Sequence, residues 1–152
     1  VSSLRSTSPE AAQTLLPARA PMLRSLDDLA LEPGVQQRLA AYVSVLPDNT
    51  WVNGNTASAE VLSAVVPGLS LSQAQGLVAE RDSGRWFINR GDFVNRLRMP
   101  QLLVDSVQVG ITSEWFRWHG RARREQRRVA VEALLYRPED RQPQVIWWRV
   151  GA

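Results

Sequence analysis

The stretch Asn53-Gly54-Asn55-Thr56-Ala57-Ser58-Ala59-Glu60-Val61-Leu62-Ser63-Ala64-Val65-Val66-Pro67-Gly68-Leu69-Ser70-Leu71-Ser72-Gln73 decides how this chain is read. Its two Asn side chains and the Gly between them suit a tight turn. Thr56 follows where an N-cap belongs, ahead of a helix with Glu60 in its first turn. Val61, Leu62, Val65 and Val66 give that helix an apolar face. Pro67-Gly68 ends it, with Gly68 expected at positive φ, and Ser70-Leu71-Ser72-Gln73 has the spacing of a capping box. The next helix runs to about Arg81 with Ala74, Leu77 and Val78 on one side. The result is a helix, a hairpin and a helix, in which Asn53, Asn55, Thr56, Pro67, Gly68 and Ser70 form a structural motif.

Working toward the N-terminus, Pro and Gly keep punctuating short helical stretches. Ser8-Pro9-Glu10 opens one, Ser25 precedes Leu26-Asp27-Asp28-Leu29, and Pro33-Gly34 breaks before Val35 to Val45. Helices this short need neighbours to bury their apolar stripes, so a compact cluster is expected. Leu31-Glu32-Pro33-Gly34-Val35 and Val65-Val66-Pro67-Gly68-Leu69 share a pattern 34 positions apart. Leu26-Asp27-Asp28-Leu29 is likewise echoed by Arg90-Gly91-Asp92-Phe93. Two copies do not make a solenoid. They suggest a pair of related, SAM-like small lobes, at about 21–47 and about 51–106, within a helical region spanning 1–106.

Toward the C-terminus the periodicity changes. Phe116, Trp118, Gly120 and Ala122 fall on one face of an alternating run, and Trp115, Arg117, His119, Arg121 and Arg123 on the other. Val129, Val131, Ala133 and Leu135 alternate again. Pro138 to Pro143 forms a loop, and Val145-Ile146-Trp147-Trp148-Arg149-Val150 reads as a third strand. One helix from Trp115 to Arg137 is the competing reading, opposed by Gly120 and by Val129-Ala130-Val131. The expected class is therefore α+β, with residues 107–152 supplying a small antiparallel sheet.

Charge follows the same division. All 18 basic residues are Arg, against 15 acids, for a net charge of +3. Val1 to Gly110 holds nine Arg and ten acids, whereas Ile111 to Ala152 holds nine Arg and five acids. The absence of Cys removes thiolate nucleophiles, disulfides and Cys-ligated zinc, and His119 as the single His removes multi-His metal sites. No two carboxylates have a spacing that demands acid–base work, so no catalytic residue is assigned. The longest uncharged stretch, Val61 to Ala79, is interrupted by Pro67 and Gly68 and does not read as a membrane span. A start at Val1 without Met reads as a processed product or a fragment.

Two binding readings compete with a structural one. Arg117, Arg121, Arg123, Arg124, Arg127 and Arg128, beside Trp115 and Trp118, could contact nucleic acid, but as a strand face they read more simply as a solvated surface. Helix–hairpin–helix elements can cradle duplex phosphates on a Gly-x-Gly hairpin. Here Pro67-Gly68-Leu69-Ser70 lacks the second Gly, and no Lys or Arg stands between Glu60 and Arg81. Asp48, Asn49, Asn53 and Asn55 gather oxygens around Gly54 without the spacing of a calcium loop, so turn hydrogen bonds are the stronger explanation.

Trp51 to Leu62, the Val66-Pro67-Gly68-Leu69 hairpin, the Ala74 to Arg81 helix and Arg90-Gly91-Asp92-Phe93 together resemble the K protein of the bacterial type II secretion system, a minor pseudopilin. Ser25 to Leu29, Pro33-Gly34-Val35 and Tyr42 to Pro47 look like that family's earlier helical lobe, and the Arg-rich strand pair with the closing Val145 to Arg149 looks like its C-terminal strands. The resemblance runs from about Pro21 onward. It implies a helical region inserted into a pilin-like sheet and an N-terminal anchor helix, absent from this sequence, that holds the full-length protein in the inner membrane. It also implies a periplasmic location and assembly with the I and J minor pseudopilins at the pseudopilus tip for protein export. Nucleic acid is not an expected partner. A helix–hairpin–helix DNA-binding module is the alternative. Calcium is possible by family resemblance, without ligands that map onto this sequence, and no cofactor is assigned.

Overall fold

A computed structural model describes residues 23–125 and 127–151. The expected helix at Ser8-Pro9-Glu10 lies outside the described residues. A 3-10 turn at Leu26–Leu29 comes first, capped by Ser25, whose hydroxyl accepts from the Asp27 N–H while the Asp28 carboxylate accepts from the Ser25 N–H. Helix α1 spans Pro33–Leu39. Pro33 therefore starts this helix rather than breaking ahead of it. Its fixed φ suits the first helical turn, where a missing N–H costs nothing. The helix also stops well short of Val45, giving way to turns at Ala40 to Tyr42.

The second lobe contains α2 (Ala59–Val65), α3 (Leu71–Asp82) and α4 (Arg90–Leu97), followed by a 3-10 turn at Val104–Ser106. It is closed by a parallel two-strand pairing that the periodicity did not announce. Strand β1 (Val52–Asn53) pairs with β2 (Val109–Gly110), Val52 opposite Val109 and Asn53 opposite Gly110. Strands of two residues are too short to carry an alternating pattern, which is why the sequence gives no sign of them. The core beneath is continuous: Leu62, Val66, Leu69, Ala74, Leu77, Phe87, Phe93, Leu97, Val107 and Val109 are all buried in one cluster. Phe87 and Phe93 meet edge to face with ring centroids 5.0 Å apart. The expected boundary between 1–106 and 107–152 thus falls inside a packed unit, since Val107 and Val109 both belong to this core.

The C-terminal part is an antiparallel meander of β3 (Trp115–Arg124), β4 (Arg127–Tyr136) and β5 (Gln144–Gly151) in that order. Strands, not a continuous helix, therefore occupy Trp115 to Tyr136, and the class is α+β as expected. Register places Phe116 opposite Leu135, Trp118 opposite Ala133, Gly120 opposite Val131 and Ala122 opposite Val129. Val131 faces Val150 and Ala133 faces Trp148 on the other side, with an irregularity at Leu134/Leu135. One face is therefore apolar from edge to edge. It is also open, with Trp118, Trp148 and Val150 exposed to 51%, 66% and 58%. The Trp118 indole lies over Gly120, where an added Cβ would stand 2.7 Å from the ring's Cζ2 atom. On the opposite face Leu134 is buried, and the segment Ala41 to Leu46 runs alongside Trp115, Arg117 and Leu134, bounding a cavity of about 330 Å³.

Candidate functional site

Asn53-Gly54-Asn55 is the junction of the helical lobe. The Asn53 side chain works in two directions: its Oδ1 accepts from the Asn55 N–H at 2.9 Å, and its Nδ2 donates to Ser113 Oγ at 2.9 Å, just before the sheet begins. Gly54 donates its N–H to the Gly110 carbonyl at 2.9 Å. A Cβ on Gly54 would lie 3.2 Å from Phe93 and Val109 and 3.3 Å from that carbonyl, so only glycine allows this approach without displacing neighbours. Asn55 acts as a detached piece of strand. Its Oδ1 accepts the Phe87 N–H at 2.9 Å and its Nδ2 donates to the Phe87 carbonyl at 2.9 Å, so one amide satisfies both backbone groups of a buried residue.

Thr56 does not cap α2. The cap is Ser58, in extended conformation, whose hydroxyl accepts from the Val61 N–H at 3.4 Å. The turn explains the displacement: the N–H groups of Thr56 and Ala57 are both drawn to the Asn53 carbonyl, at 3.1 and 2.9 Å, so the helix begins two residues later. Thr56 Oγ1 reaches the same carbonyl only at 3.5 Å.

Val66-Pro67-Gly68-Leu69 closes as a turn, with Leu69 N–H donating to the Val66 carbonyl at 3.2 Å and Gly68 at φ 78°. Pro at the second position and Gly at the third are what a type II turn requires. Leu69 is buried, its carbonyl accepting from the buried Ser63 hydroxyl at 3.1 Å. Ser70 makes the full capping box: its hydroxyl accepts from Gln73 N–H at 3.2 Å, while Gln73 Oε1 accepts from Ser70 N–H at 3.0 Å. The N–H groups of Leu69 and Ser70, which a phosphate-cradling hairpin would offer outward, are thus already engaged inside the protein. This counts against the DNA-binding reading.

Three arginines do work that a charge count conceals. Arg81, buried on α3, donates from Nη1 to the carbonyls of Gly54 at 3.0 Å and Ala57 at 2.6 Å, tying α3 to the Asn-Gly-Asn segment. Arg90 Nη2 donates to the carbonyls of Val104 and Val107, and its guanidinium sits 5.0 Å from the Trp51 ring centroid. Arg96 bonds both carboxylate oxygens of Asp92 at 2.8 Å and the carbonyls of Arg85 and Trp86. The Arg96 guanidinium and the Ile88 N–H together hold the Asp92 carboxyl below its ordinary pKa. The i, i+4 spacing of Asp92 and Arg96 was a signal available in the sequence, but the carbonyl partners of Arg81 and Arg90 had none.

In the segment weighed for calcium, the side chains of Asp48, Asn53 and Asn55 are engaged in hydrogen bonds within the protein: Asn53 and Asn55 as described, and Asp48 through Oδ1, which accepts from Asn49 N–H at 2.7 Å. Among the described residues, no group of three or more His, Cys, Asp or Glu is placed to hold a metal ion. No helix of the described residues is long and apolar enough to cross a membrane.

On the polar face of the sheet, Glu132 is the centre of charge. Arg149 donates to its Oε2 from Nε at 2.6 Å and pairs with the same oxygen through Nη2. Arg117 approaches Oε1 at 3.3 Å and His119 at 3.9 Å. Arg117 also donates to Ser44 Oγ at 2.6 Å, linking the first lobe to the sheet.

Comparison with known proteins places this architecture. None of the curated proteins compared with the chain matches it. Among solved structures, a chain in the crystal structure of the GspK-GspI-GspJ complex from the enterotoxigenic Escherichia coli type 2 secretion system is similar in fold. The TM-score is 0.58 at 13% identity, covering 93% of this chain and 54% of that one. This chain thus spans about half the length of the solved chain it matches. The model of the family "Type II secretion system (T2SS), protein K" matches residues 52–112, the segment that begins at β1 and ends just past β2. Residues 52–112 are thus similar to the protein K domain of the type II secretion system.

Proposed function

We propose that this protein is a minor pseudopilin of a bacterial type II secretion system, a structural subunit that assembles with the I and J minor pseudopilins at the pseudopilus tip, on the periplasmic side of the inner membrane. The observation that carries the proposal is the coincidence of the family match with a physical unit. Residues 52–112 are the stretch closed by the β1–β2 pairing and filled by the Leu62–Phe93–Val109 core. The fold shared with a chain of a K–I–J complex supports the same reading.

In this reading the lobe is a shape to be presented, with no reaction to perform. Asn53, Asn55 and Ser70 hold that shape through hydrogen bonds made within the protein, Pro67 and Gly68 through the backbone angles of their turn, and Thr56 contributes little. The helical region and the sheet act as two units, joined by Asn53–Ser113 and Ser44–Arg117.

Deleting the gene that carries this chain in its source bacterium is expected to stop export of folded substrates, which accumulate in the periplasm, and a plasmid copy restores export. Normal export in the deletion strain would refute the proposal.

A further inference from the structure

The β3–β4 hairpin carries more positive charge at its turn end than its surroundings neutralise. Alternation along β3 puts Arg117, His119, Arg121 and Arg123 on one face, and the register sets Glu132, Ala130 and Arg128 of β4 opposite His119, Arg121 and Arg123. That face divides in two. Its inner half is balanced by Glu132, which takes Arg117 and Arg149. Its outer half has no counterpart: Arg121, Arg123 and Arg128 are exposed, and no acidic side chain among the described residues pairs with them. Arg123 donates to the Glu125 carbonyl, at 3.2 Å.

The arrangement works against the isolated fold. Arg123 and Arg128 stand directly opposite each other, and like charges in that relation destabilise a strand pair. Beside them the floor is low, because Arg121 faces Ala130 and Ala130 faces Gly151 on β5. Three guanidinium groups therefore border a shallow tray of small residues, and each can bond a carboxylate through parallel N–H donors.

We propose that this outer half-face, formed by Arg121, Arg123 and Arg128 over Ala130 and Gly151, is a docking surface for a carboxylate-rich segment of a partner protein. Lipid and nucleic acid fit it less well. Trp118, Trp148 and Val150 project from the opposite face, so a membrane that received them would hold these arginines away from its headgroups. For nucleic acid, the aromatic rings on the arginine face are already covered. Trp115 stacks on Tyr136 at 4.5 Å, and the Arg149 guanidinium lies 5.3 Å from the Trp147 centroid, leaving no platform for bases. The surface stands independently of which assembly the protein joins.

The test titrates the whole chain with a glutamate-rich peptide by calorimetry, against a peptide with glutamine at each glutamate. The expected result is saturable binding of the glutamate peptide alone, weakened about tenfold between about 50 and about 200 mM salt. R121Q/R128Q should lower the affinity at least about tenfold. The same variant should melt about 1–3 °C above wild type, because the Arg123–Arg128 opposition is relieved. Should the variant fold poorly, amide shift changes in the wild type on adding the peptide decide the matter, and they should centre on Arg121, Arg123 and Arg128. Equal affinity of variant and wild type, equal binding of the glutamine peptide, or shift changes centred elsewhere would overturn the proposal. So would tighter binding to phosphatidylglycerol vesicles or to a DNA duplex than to the peptide at equal salt.

Discussion

Replacing Asn55 with alanine should damage this fold more than any other single change to a polar side chain in the Asn-Gly-Asn turn. The amide makes two hydrogen bonds of 2.9 Å to the backbone of Phe87, whose ring is part of the core. Each bond is worth about 1 kcal/mol net, and leaving a buried N–H or carbonyl unmatched raises the cost to about 1–3 kcal/mol. Asn55 is only partly buried, so water can reach the gap and the lower half of that range applies to each group. The expected loss is about 2–4 kcal/mol for the pair. In a chain of this size that corresponds to a melting temperature lower by roughly 5–12 °C. Thr56→Ala is the matched control. It stands next in sequence and is also polar, but its hydroxyl reaches only the already shared Asn53 carbonyl at 3.5 Å, so its cost should stay within about 0.5 kcal/mol. Urea unfolding followed by circular dichroism measures both. Equal midpoints for Asn55→Ala and wild type would refute the idea that this amide substitutes for a strand, and so would a larger loss for Thr56→Ala.

Gly68→Val places a β-branched residue at φ 78° with a Cβ 3.3 Å from Met99 Cε; it should cost about 1–3 kcal/mol, seen as a lower denaturant midpoint. Glu132→Gln leaves Arg117 and Arg149 facing each other without their shared counter-charge. Because both arginines are substantially exposed, the loss should be only about 1–2 kcal/mol and should shrink in high salt. Asp92 has its pKa lowered in the folded state, so its contribution is present above the unfolded carboxylate pKa and is lost as pH falls through the lower folded value. The stability gap between wild type and Asp92→Asn should therefore be full at neutral pH and close in the acid range below about pH 4; a gap independent of pH would contradict this.

The residues that made the architecture legible are those whose local chemistry is self-contained. Ser70 and Gln73 cap each other, Pro67-Gly68 fits only a few turn types, and the alternation from Trp115 onward repeats over three strands. What stayed hidden depends on distant partners. The β1–β2 pairing joins Val52 to Val109 across most of the lobe, and two-residue strands have no period to detect. Arg81 is charged and sits in a polar stretch, yet it is buried because the carbonyls of Gly54 and Ala57 happen to converge there. Thr56 failed as a cap for a related reason. The Asn53 carbonyl captured the N–H groups of Thr56 and Ala57, passing the helix start to Ser58. At the candidate site, Asn53 and Asn55 stood out by residue type, while their partners Ser113 and Phe87 could be assigned only from the folded chain.

The most direct test of the central claim is the composition of the assembly formed in solution. The protein should be mixed with the soluble domains of the I and J minor pseudopilins from the same bacterium and passed through size exclusion with light scattering. The account predicts a single species whose mass equals one copy of each subunit, with Asn55→Ala reducing its yield in proportion to lost stability. Elution of this protein alone, at its monomer mass, while I and J associate with each other, would contradict it.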